Sequence, residues 1–265
     1  MDSNGGQEGE AAGPAQAPPQ QAAQGQSPLA AHISSNKIDF ALWCTRLITI
    51  VFTFNYLVPI FGSGTNMYYK ALMANAATSA LRLHQRLPRV QFTREFLAML
   101  FVEDSAHYLL YSFNFIYSGP MTLVLLPIML FAVLHICSYT VVLMDLAGIG
   151  HVLFLKKAIE VVEMQSVNIL RTIAFSEIFI FPLSILMLFS GRASLMTVFV
   201  YYRFLTLRYA SRRNPYSRNS FYELRMTTEH YAQRSPESIR NFLYKAIEFV
   251  NRLAPAVAPA PAPAQ

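Results

Sequence analysis

An all-α, polytopic membrane protein with hairpin spans and a cytosolic amphipathic helical tail is the architecture this chain implies. Three observations carry that expectation. From Ser105 to Met144 the chain runs 40 residues without an acidic or basic side chain, two histidines apart, broken only at Ser118-Gly119-Pro120. One crossing takes about 20 apolar residues, because the hydrocarbon core is about 30 Å thick and a helix rises about 1.5 Å per residue. The stretch therefore reads as two crossings joined by a tight turn. Second, 54% of the 265 residues are hydrophobic and only 14% charged, against roughly 25% charged in an ordinary soluble domain. Third, the net charge of +6 is concentrated: residues 201–252 hold ten Lys/Arg and four acids, while the remaining 11 bases and 11 acids cancel.

Residues 1–32 are rich in Gln, Ala, Gly and Pro and bury too little apolar surface to offset ordering entropy, so they are expected to be disordered. They contain no basic segment followed by an apolar one, so the first apolar stretch is expected to serve as an uncleaved signal-anchor. The helical membrane domain is expected over 33–210, with spans near 40–61, 92–117, 119–144 and 172–190. A further span at 193–209 is less regular because Arg203 and Arg208 intrude. Arg46, near one end of the first span, has the long side chain needed to snorkel to headgroups. Residues 66–87 read as an interfacial or cytosolic helix stopped by Pro88, and 151–170 as a surface helix. Cys44 and Cys137 fall inside apolar segments and read as small buried hydrophobes.

The basic connector 62–95 and the basic segment after Tyr209 both belong in the cytosol by the positive-inside bias. That requires an even number of crossings between them, which two hairpins supply. If 193–209 lies on the surface, parity must be restored elsewhere, for instance by 172–190 as a re-entrant hairpin.

Residues 211–253 form the basic tail, and 254–265 an Ala/Pro segment expected to be disordered. Bases interleave with aromatics where the last span ends, so Arg208, Arg212 and Arg213 are candidates for contact with anionic headgroups rather than nucleic acid. Ser235-Pro236 opens a helix. In it Ile239, Phe242, Leu243, Ala246, Ile247, Val250 and Leu253 share one stripe, with Arg240, Lys245 and Arg252 off it. Arg240, Phe242, Lys245, Ile247 and Arg252 are thus interfacial candidates, and packing of the stripe on the protein itself is the competing expectation.

Ionisable groups inside spans are costly and mark function by default. Glu103, Asp104 and His107 lie together, His135 on the next span faces them in a hairpin, and Glu177 stands alone in the fourth. They read either as helix-packing partners or as a polar path for protons or ions. No metal-ligand spacing, catalytic motif or cofactor fingerprint accompanies them, so no catalytic, cofactor or metal residue is assigned.

Several stretches are specific enough to carry a resemblance: Asn75–Pro88 (NAATSALRLHQRLP), Glu103–Ser112 (EDSAHYLLYS), Met187–Gly191 (MLFSG), Tyr201–Tyr216 and Asn251–Pro255 (NRLAP). They resemble the transmembrane protein 33 family, which includes the Krüppel homologue 2 proteins, over residues 33–255. The resemblance implies a non-enzymatic, multi-pass protein of the endoplasmic reticulum and nuclear envelope. Such a protein associates with reticulons, influences the tubular network, and is linked to nuclear pore distribution and stress signalling. Reticulon-like, nuclear pore or stress-sensor membrane proteins are therefore the implied partners. Fungal relatives carry a C-terminal amphipathic helix that contacts membrane, matched here by Pro236–Leu253. A lipid or ion transporter using Glu103, Asp104, His107 and Glu177 is the alternative.

Overall fold

A computed structural model describes residues 27–87, 93–149, 153–211 and 215–253. Every regular element among them is an α-helix, and the chain is an all-α membrane protein. Arg212 and Arg213, and the Ala/Pro segment 254–265, lie outside the described residues.

The first helix, α1 (Pro28–Ser35), begins inside the segment expected to be disordered. Its signal is local: the Ser27 hydroxyl accepts from the Ala30 amide at 3.2 Å and Pro28 occupies the first turn, which needs no donor. The first apolar helix, α2 (Lys37–Leu57), stops short of Phe61 because Pro59 forces Val58 into an extended conformation. Buried Asn55 builds the turn that follows. Its Oδ1 accepts from the Ile60 and Phe61 amides at 2.9 and 3.0 Å, and its Nδ2 donates to the Phe61 carbonyl at 2.8 Å.

The chain then returns along α2 as α3 (Gly64–Arg86). This helix is no surface element. Tyr68, Ala71 and Leu72 are fully buried, and Thr78 donates to Thr45 of α2 at 2.9 Å. Composition misled here, because α3 has two polar faces: Asn75, Thr78, Ser79 and Arg82 line a cavity between helices, while Lys70, His84 and Gln85 remain exposed.

The expected span over 92–117 is two helices, α4 (Arg94–Val102) and α5 (Asp104–Ile116), broken at Glu103. Glu103 adopts extended backbone angles, and Asp104 begins α5 where the helix dipole favours an acid. With 13 residues, α5 is about 20 Å long, short of the bilayer core. The uncharged helix after the turn is α6 (Thr122–Leu146), joined to α2 by the Trp43 indole donating to Thr140 at 2.9 Å. Next, α7 (Leu153–Met164) rests on α6 through Ile159, against Cys137 and Met144.

Pro182 does not interrupt α8 (Ser166–Phe189), which excludes the re-entrant alternative. Its return partner is α9 (Leu195–Ala210), whose 16 residues reach about 24 Å. Two further helices complete the fold, α10 (Pro215–Arg234) and α11 (Glu237–Leu253). Among the described residues, three helices, α2, α6 and α8, are long and apolar enough to cross a membrane. Large apolar side chains on them, such as Val51, Phe54 and Leu186, are exposed, as a lipid-facing surface requires.

The α5–α6 and α8–α9 turns meet. The Gly119 amide donates to the Arg192 carbonyl at 2.8 Å, and Arg192 Nη2 donates to the Pro120 carbonyl at 3.0 Å. Between α5 and α9 lies an aromatic core of Tyr108, Tyr111, Phe115, Tyr201 and Phe204, joined by Tyr68 from α3.

Candidate functional site

At the far end of that core from the turns, α9 carries Arg208, 1% exposed. A buried guanidinium must be paired and hydrogen-bonded to persist. Its Nε donates to both carboxylate oxygens of Glu177 on α8 at 3.1 Å, and its Nη1 to Asp104 of α5 at 3.3 Å. The Tyr108 and Phe131 rings lie 5.2 and 6.0 Å from the guanidinium carbon, adding cation–π attraction. Tyr108 also donates to the Glu177 carboxylate, Tyr201 donates to the Glu177 backbone carbonyl at 2.7 Å, and Ser211 to Asp104 at 3.0 Å. One cation thereby ties α5, α8 and α9 together.

Sequence placed Arg208 among residues touching headgroups. The structure corrects this: it is an interior ion-pair centre, because two acids distant in sequence converge on it. Asp104 and Glu177 are joined through it. His107 is close by, its Nδ1 3.8 Å from Asp104 and its Nε2 donating to the Phe101 carbonyl at 2.7 Å. Glu103 does not join this centre. It turns to α3, where Arg86 Nη1 donates to it at 3.1 Å. No group of three or more His, Cys, Asp or Glu able to hold a metal ion occurs among the described residues.

Beside the ion pair is a cavity of about 300 Å³ whose lining includes Arg46, Arg82, Arg86, Arg208, Asp104 and His135. Arg46 was expected to snorkel outward and is instead only 8% exposed. Ser79, Arg82 and Arg86 share one face of α3, at i, i+3 and i+7. His135 enters from α6, stacked on Phe131 with ring centroids 6.3 Å apart. Sequence reasoning missed Arg46, Arg82 and Arg86 as a group. The one legible signal was the i, i+4 spacing of Arg82 and Arg86 on a helix otherwise rich in Ala and Leu; Arg46, on α2, gave none.

The second candidate surface is α11. It packs on α10, and Ile247 is buried in that contact, so Ile247 is unavailable to membrane in this arrangement. Ile239 and Phe242, one turn apart, are 51% and 70% exposed, and Lys245 is exposed. Arg240 is partly exposed, and the side chain of Arg252 lies outside the described ones. Leu243, Ala246 and Ile247 of the apolar stripe face the protein, and its Ile239/Phe242 edge is uncovered. On α10, Arg225 donates to Glu229 at 2.7 Å, which holds the guanidinium further above its ordinary range.

Comparison with known proteins agrees with this architecture. Residues 21–256 match the family model described as Transmembrane protein 33/Nucleoporin POM33. Krueppel homolog 2 of Drosophila melanogaster is 51% identical over 231 residues, covering 87% of this chain and 84% of that protein. Transmembrane protein 33 of Rattus norvegicus is 46% identical and that of Homo sapiens 45%, each match covering 84% of this chain and 92% of the relative. No solved structure matches the chain. A match over nearly the whole described membrane domain, with identities far above those of chance, leaves one assignment: the chain belongs to the Transmembrane protein 33/Nucleoporin POM33 family.

Proposed function

We propose that this chain is a non-enzymatic organiser of the endoplasmic reticulum and nuclear envelope membrane, acting through membrane shape and through binding of reticulon-like partners. The observation that carries the reading is the uncovered apolar edge of α11, Ile239 and Phe242, flanked by Arg240 and Lys245. Apolar side chains entering the headgroup boundary, with bases facing anionic lipid, favour curved or loosely packed membrane. The short helices α5 and α9 add volume unequally across the bilayer, which supports the same role. The nucleoporin description of the family supports a nuclear envelope pool, with pore or stress-sensor membrane proteins as further partners.

The transport reading needs carboxylates free to take up and release an ion. Glu177 and Asp104 are both engaged by Arg208, so their geometry favours a packing role.

The test is full-length protein in giant vesicles of phosphatidylcholine with phosphatidylserine, from which a thin tether is pulled. Enrichment in the tether over the flat membrane is expected, and it should fall several-fold on changing Ile239 and Phe242 to Ser. Equal density on both membranes would refute the shape role. Ion flux abolished by Asp104→Asn would establish transport in its place.

A further inference from the structure

We propose that the cavity among α2, α3, α6 and α9 is a binding site for a phosphate group, held by Arg46 and Arg82. The inference stands apart from the α11 reading, since it concerns the interior of the helical domain. Four arginines line this cavity with a single acid, Asp104. Two of them are accounted for: Arg208 by Glu177 and Asp104, and Arg86 by Glu103. Arg46 and Arg82 make no hydrogen bond or ion pair among the described residues, although Arg46 is more than nine-tenths buried. Asp39 is near enough to act electrostatically on both, yet its carboxylate accepts from Gln85 at 2.8 Å. The two guanidinium groups are also close enough to repel one another. Moreover, Arg208 Nη2 is buried without a partner among the described residues.

Like charges converge on this wall, and an anion bound there would offset the cost of the buried Arg46 guanidinium, which has no partner among the described residues, and the repulsion from partly buried Arg82. The donor geometry selects its class. Arg46 and Arg82 come from two different helices and present two planar forks, with Arg208 lining the same cavity from a third. A carboxylate has two coplanar oxygens and satisfies one fork. A phosphate group has three or four oxygens arranged tetrahedrally and accepts from several forks at once. His135, from α6, supplies a further polar group to the lining. The phosphate can belong to a lipid headgroup or be free in solution.

Two probes separate these sources with the full-length protein in detergent micelles: dioctanoyl phosphatidic acid and inorganic phosphate, each titrated by calorimetry. Saturable binding of the lipid alone assigns a headgroup site. Binding of both with similar affinity assigns a free-phosphate site. In either case Arg46→Gln and Arg82→Gln should each weaken binding about tenfold or more, while Arg225→Gln on α10 leaves it unchanged. No binding of either probe, or unchanged affinity in both cavity variants, overturns the proposal. Should the variants fail to fold, a photoactivatable phosphatidic acid bound to the unaltered protein decides. Label on α2 or α3 peptides lining the cavity, competed by excess unlabelled lipid, supports it, and label confined to other helices overturns it.

Discussion

Arg208 is paired with a fully buried Glu177, so its removal has an asymmetric cost. Arg208→Met leaves Glu177 fully buried with its charge unopposed, and breaking a buried pair from one side costs about 3–5 kcal/mol. Thermal unfolding in micelles should show a clearly lowered Tm for Arg208→Met. Most of the loss should return in the double variant with Glu177→Leu, because two apolar side chains replace the pair. An unchanged Tm in the single variant would show that the ion pair contributes nothing. Why this centre was not legible in the chain is a matter of distance: Glu177 is 31 positions from Arg208 and Asp104 is 104 away. Local pattern gave only two bases in an aromatic segment, Arg203 and Arg208. Five residues apart on a helix they point about 140° from each other, and one is exposed while the other is buried. Arg46 escaped for a similar reason: snorkelling and burial look alike until the neighbouring helix is known.

The long apolar helices were readable because nothing competes with about 20 mostly apolar residues: α6 and α8 lie close to where hydropathy places them, although α8 carries Arg171 and Glu177. Elements with mixed composition were not. The break at Glu103 divides a stretch that reads as one span, and α3 reads as an interfacial or cytosolic helix although Asn75, Thr78, Ser79 and Arg82 line a cavity between helices. The turns give a sharper test. A Cβ at Gly119 would lie 3.2 Å from the Arg192 carbonyl oxygen and 3.3 Å from its Cβ. Gly119→Val must push the two turns apart and should cost about 1–3 kcal/mol, read as a lowered Tm. A neutral outcome would mean that the turns do not hold each other. For α11, Arg240→Glu with Lys245→Glu should reduce enrichment on phosphatidylserine-containing tethers, and raising salt should do the same to the unaltered chain. Insensitivity to both would remove electrostatics from its membrane contact.

Taken together, α8 and α9 pack as a hairpin, while α5 and α6, joined by a tight turn, pack chiefly on other helices, α5 on α3 and α9 and α6 on α2 and α8, with the α2/α3 pair bracing both. By the positive-inside bias, the basic excess after residue 200 predicts a cytosolic side for α10 and α11. Protease added to sealed microsomes should therefore remove a tag following residue 253, and protection of that tag would invert the orientation. These helices are fastened at two depths: where Gly119 meets Arg192, and at the Arg208 centre about 18 Å away along α8. Helices pinned at two points neither pivot nor splay. Arg171 and Glu223 link α10 to α8 only at the surface, a pair worth about 1 kcal/mol or less, so a load on α10 enters the bundle through its packing on α8 and α9 and meets the two fastenings together.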